Sequence, residues 1–130
     1  MTMVPARTSI QIALVDGYTA VRHARQLMLR AEGFDVRAYV SVASLLADPL
    51  ARASACVIAD VDMPELGGLE ILQAMRLQGW TGVMILLVDT ITDALLAEAR
   101  LLGFAALVPR DLPDRSLIEA IRMAIAELPH

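Results

Sequence analysis

The sequence contains no lysine: all 11 basic residues are arginine, set against 15 acids, for a net charge of −4 and an isoelectric point near 5.0. The arginines are scattered, so no clustered cationic surface exists to neutralise nucleic-acid phosphates, which argues against nucleic-acid binding by this segment. Cysteine is nearly absent as well. Cys56 stands alone inside an apolar run, which excludes an internal disulfide or a cysteine metal cluster and reads as a small buried hydrophobe. No window approaches the ~18 uninterrupted apolar residues of a membrane span, and the first residues lack the apolar stretch of a signal peptide. The expectation is a soluble, cytoplasmic protein with no membrane contact.

What the chain does have is apolar content, 57% hydrophobic against 20% charged over 130 residues. That is the size of one domain, able to bury roughly two thirds of its unfolded surface. A second domain does not fit, and any DNA-binding output would lie outside this chain. Short apolar runs alternate with longer helical patterns throughout, the sequence form of repeated strand-helix units and a mainly parallel sheet with helices on both faces. The patterns predict strands over 10–15, 35–40, 55–59, 83–88 and 105–108, and helices over 19–31, 41–47, 68–78, 92–102 and 114–128. The runs Cys56-Val57-Ile58-Ala59 and Val83-Met84-Ile85-Leu86-Leu87-Val88 are apolar without alternation, as central strands buried on both faces require. In the last helix Leu117, Ile121, Ile125 and Leu128 fall on one stripe, away from Arg115, Glu119 and Arg122. Pro113 and Pro129 bracket it. There is no internal repeat and no long linker, so a single fold with its core at about 10–128 is expected.

In an open parallel sheet, ligands bind beyond the carboxyl ends of the strands. Asp16 and Asp60 each terminate a strand there, Asp62 follows two residues on, and Asp89 and Arg110 end the later strands. Such an acidic pocket suits a hard cation such as Mg2+, and a carboxylate beside it can attack a phosphoryl group. Equally, aspartates after strands start turns or cap helices, and spacing alone leaves both readings open.

The string Asp60-Val61-Asp62-Met63-Pro64-Glu65-Leu66-Gly67-Gly68 resembles the acceptor loop of response regulator receiver domains. Leu14-Val15-Asp16 resembles that family's first strand and acidic position, and Leu102-Gly103-Phe104-Ala105 the turn ahead of its fifth strand. The resemblance runs from about Ile10 to Leu128. It implies a doubly wound, flavodoxin-like α/β fold with a five-stranded parallel sheet of order 2-1-3-4-5. It also implies a signalling module of two-component phosphorelays rather than an enzyme. Asp60 would accept a phosphoryl group from a sensor histidine kinase or phosphotransfer protein. Asp16, Asp60 and the Asp62 carbonyl would hold Mg2+, and Arg110 would stand where the family's phosphate-pairing lysine does.

Several positions depart from the family pattern. Gly17 replaces a second acid after the first strand, and Val88 replaces a hydroxyl residue, losing its hydrogen bond. Leu107 replaces an aromatic switch residue, and Asp111 replaces a proline preceded by a cis bond. A cis bond before a non-proline residue costs ~2.5–4 kcal/mol, so the Arg110-Asp111 bond is expected to be trans. The site is therefore expected to bind Mg2+ weakly, to be a poor phosphoacceptor and to act by protein-protein contact.

Leu95, Leu96, Leu101 and Leu102 exceed what one core stripe of the fourth helix can bury, which suggests a homodimer through the fourth helix, fifth strand and fifth helix. A flavodoxin-like small-ligand or nucleotide binder is the rival on the same topology. Asp16-Gly17-Tyr18-Thr19-Ala20, however, supplies no glycine-rich phosphate loop. His23 reads as a surface histidine, Trp80 as a cover over the core edge at a turn, and the methionines as core fillers.

Overall fold

The computed structural model describes residues 9–60 and 68–128. Its strands are β1 (Gln11–Val15), β2 (Asp35–Tyr39), β3 (Cys56–Asp60), β4 (Val83–Val88) and β5 (Ala106–Pro109). All pair in parallel, in the order β2-β1-β3-β4-β5 that the resemblance implied. The helices are α1 (Thr19–Ala31), α2 (Val42–Ala47), α3 (Gly68–Leu77), α4 (Asp93–Leu102) and α5 (Asp114–Ala126). Element boundaries lie within two residues of those expected. α5 stops earlier, at Ala126, so Leu128 falls past its end, and Pro129 lies outside the described residues. A 3-10 turn over Pro49–Ala53 was not anticipated; Asp48 caps it by accepting from the Leu50 N–H at 3.0 Å.

Every residue of β3 is buried, and β4 is buried after its first residue, because helices cover both faces of the sheet. Alternate residues of β1 feed two cores. Ala13 and Val15 join Val42, Leu45, Ile71, Met75 and Ala99 from α2, α3 and α4. Ile12 and Leu14 join Leu29, Leu117, Ile121 and Ala124 from α1 and α5. Ser41 caps α2 and Thr92 caps α4 through their side-chain oxygens, and α4 ends at Gly103, whose φ of 96° suits glycine. Trp80 is enclosed in the first core rather than lying over its edge, because its Nε1–H reaches the Ser54 carbonyl at 2.7 Å. Arg76 covers its ring at 4.9 Å. Burial pushes the Cys56 thiol up to about 12, as befits a small core hydrophobe. Among the described residues no helix is long and apolar enough to cross a membrane.

Parallel register brings the strand ends together. Val15 pairs with Ala59, Asp60 with Leu87, and Val88 with Pro109. The chain segments leaving β1, β3, β4 and β5 therefore share one edge.

Candidate functional site

At that edge an open cleft of about 480 Å³ is lined by Asp16, Tyr18, Val21, Arg25, Asp60, Arg110 and Asp111. Asp16, Asp60 and Arg110 thus meet in one place, as strand-end spacing suggested.

Asp60, the last residue of β3, is only 4% exposed, and Arg110 donates to its Oδ1 at 2.8 Å. The Arg110 backbone N–H donates to the Val88 carbonyl, which extends the β4-β5 ladder one residue and fixes the base of the side chain. Its Nε lies 3.1 Å from Asp89. Asp89 reaches in to this guanidinium while its side chain stays 71% exposed. No cis peptide bond occurs among the described residues, so Arg110-Asp111 is trans.

Asp16 is 1% exposed, and a carboxylate so deeply placed requires partners for its charge. The Tyr18 N–H donates to Oδ1 at 2.9 Å and Arg25 donates to Oδ2 at 2.7 Å. Arg22 grips the Asp16 carbonyl at 2.9 Å. Neither arginine was identified from the sequence as part of the site. A signal existed: Arg22, Arg25 and Leu29 recur at helical spacing on the stripe of α1 whose Leu29 is fully buried.

Val88 and Leu107, which stand where the resemblance puts a hydroxyl residue and an aromatic switch residue, are aliphatic. Val88 is buried in the core beneath α2, α3 and α4, and Leu107 packs against the same cluster. Gly17 presents no ligand. Asp62 and the rest of 61–67 lie outside the described residues. His23 is exposed on α1, as expected.

Mg2+ at two carboxylates takes oxygens that can turn to the ion. Both Asp16 oxygens are engaged by donors, and among the described residues no three acids, histidines or cysteines gather into a cation cage. This part of the cleft does not fit the ion.

The chain matches the family model of the response regulator receiver domain over residues 12–122. It is 27% identical over 117 residues to the transcriptional regulatory protein FixJ of Azorhizobium caulinodans, an alignment covering 90% of this chain and 56% of that protein. The chain therefore spans little more than half the length of that relative. The FixJ-N crystal structure superposes with a TM-score of 0.82 at 25% identity, covering 95% of this chain and 98% of that one. The chemotaxis protein CheY4 of Vibrio cholerae superposes with a TM-score of 0.83 at 18% identity, covering 90% and 99%; at that identity it supports the fold alone. A family match across nearly the whole sheet, on a five-stranded parallel fold with buried aspartates at the ends of β1 and β3, settles the assignment: the chain belongs to the response regulator receiver domain family of two-component systems.

Proposed function

We propose that Asp60 is the phosphoacceptor of this receiver domain, that it accepts poorly, and that the domain acts through protein-protein contact. The observation that carries this is Asp60 itself. It sits nearly enclosed at the end of β3, held by Arg110 at 2.8 Å, and it faces a cleft open to solvent. In the reaction an Asp60 carboxylate oxygen attacks the phosphorus of a partner's phosphohistidine. The phosphorus–nitrogen bond breaks, its electron pair leaves with the imidazole, and an acyl phosphate remains on Asp60. Such transfer is largely positioning and neutralisation of charge, and the Arg110 guanidinium, 2.8 Å from Asp60, would contribute to both. The partner is a sensor histidine kinase or a phosphotransfer protein.

Receiver domains generally bind Mg2+ at the phosphorylation site. Weak binding here is supported by Gly17 and by the engaged Asp16 oxygens, with Asp62 retained as a candidate ligand. A weak switch is supported by Val88 and Leu107, which lack the hydroxyl and the ring. The rival reading of a flavodoxin-like ligand binder is not favoured by the family match.

The decisive experiment is intact-mass analysis after incubation with a small phosphodonor and Mg2+, comparing the native chain with Asp60→Asn. Partial gain of one phosphoryl group, absent from Asp60→Asn, is expected. A gain that persists in Asp60→Asn refutes the acceptor assignment, and full modification with a change of oligomer refutes the weak switch.

A further inference from the structure

We infer that the Arg25 guanidinium takes the cation's place at Asp16 in this cleft, so that Asp16 is neutralised from within the chain and serves as a ligand to a divalent ion only when Arg25 is removed. The inference rests on reading the cleft as the receiver site. It concerns Arg25, a residue of α1 that the family's acidic motif does not include.

The first support is completeness. Asp16 is 1% exposed, its two oxygens accept from the Tyr18 N–H and from Arg25, and Arg22 holds its carbonyl. A divalent ion approaching Oδ2 must share that oxygen with a charge-assisted bond of 2.7 Å and lie against the like charge of the Arg25 guanidinium.

The second is that Arg25 is fixed. Its side chain is only 15% exposed. The helix that carries it is anchored by buried Leu29, and Gln26 and Arg30 donate to the Val36 carbonyl at 3.4 and 3.3 Å. Displacement would move the guanidinium toward the β5 end, into a small space that Arg25 lines with the like charge of Arg110 and with the exposed acid Asp114, in exchange for its buried partner Asp16. A buried charge separated from its partner is strongly unfavourable.

The third is the nature of the charge. The guanidinium is tethered to the fold through α1, as a free ion is not. The neutralisation of Asp16 therefore does not depend on free Mg2+.

The test is calorimetric titration of the full chain with Mg2+, without phosphodonor, so that its result is independent of whether Asp60 accepts phosphate. The native chain should bind no more than weakly at millimolar Mg2+. Arg25→Gln, which keeps the stem, should bind at least about tenfold more tightly. Its thermal midpoint should rise with added Mg2+, as mass action requires, while that of the native chain stays flat. Asp16→Asn combined with Arg25→Gln should lose the gain. Equal affinity in the native chain and Arg25→Gln, or a gain that survives loss of Asp16, overturns the inference. Mn2+ applied to the native chain gives a readout that needs no variant to fold. Paramagnetic broadening centred on the Asp16 and Tyr18 amides would overturn it as well, whereas broadening that is absent or centred on Asp60 is the expected result.

Discussion

Gly82 shows how tightly one residue can be specified away from the site. A Cβ there would lie 2.6 Å from the Ala55 carbonyl oxygen, 2.6 Å from the Trp80 ring and 2.8 Å from the Ser54 carbonyl oxygen. Two of these neighbours are backbone, and the ring is held by its bond to Ser54, so none yields easily. Gly82→Ala should cost about 1–3 kcal/mol of stability, as overpacking in a closed core does. Chemical denaturation would check it, and a variant as stable as the native chain would show that the β3-β4 entrance is looser than drawn. The cleft residues were legible to different degrees. Asp16, Asp60 and Arg110 could be named because strand ends in a parallel sheet converge. Arg25 and Arg22 could not be read from strand ends, since they arrive from a helix and meet Asp16 only through tertiary packing. Asp89 could be placed at the strand end, but its contact with Arg110 depends on a rotamer that the sequence does not specify.

At the scale of elements, β3 and β4 were the most legible because burial on both faces leaves an unbroken apolar run. The 3-10 turn after α2 was not, since a run of Pro, Leu and Ala with one arginine carries no period, and its anchor is a long-range bond. That anchor is the Tyr39 hydroxyl, which donates to Asp48 Oδ2 at 2.7 Å and ties β2 to the turn. Burial first, then the bond to Asp48, pushes the Tyr39 phenol from near 10 up to about 12. Because the folded value is raised, this contribution to stability is complete below the ordinary phenol range and is lost as pH climbs through about 12. The Tyr39 hydroxyl and the Leu50 N–H hold the Asp48 carboxyl below its usual range, so its contribution is lost only as pH falls through that lowered value. With no lysine in the chain, the alkaline window is clear of ammonium titration. The melting temperature should fall from about pH 10 to about 12, and less steeply in Tyr39→Phe, with the shared Cys56 response remaining in both. Identical alkaline slopes in the two proteins would refute the tether.

For the whole molecule the question is what the exposed apolar surface of α4, β5 and α5 does. Leu101 is 88% exposed and Leu102 45% on α4, and Met123 is 72% exposed on α5, while Leu95 and Leu96 turn partly inward. Beside them β5 is an edge strand that, among the described residues, pairs only with β4, and it ends in Pro109, which offers no N–H to a further strand. Side-chain contact rather than sheet extension would therefore be the route to association, and isologous pairing of this face would give a closed homodimer. The contact should not depend on phosphate, because Val88 and Leu107 offer no hydroxyl or ring to relay a change at Asp60. Light scattering at high micromolar concentration should show a dimer whose proportion is unchanged by a small phosphodonor or a beryllium fluoride mimic. Leu101→Glu should shift it to monomer while changing the stability of the monomer by no more than about 0.5 kcal/mol, as expected for a surface residue. A native chain that remains monomeric throughout would sink the dimer. One that dimerises only with phosphodonor would show that the aliphatic residues still transmit the signal.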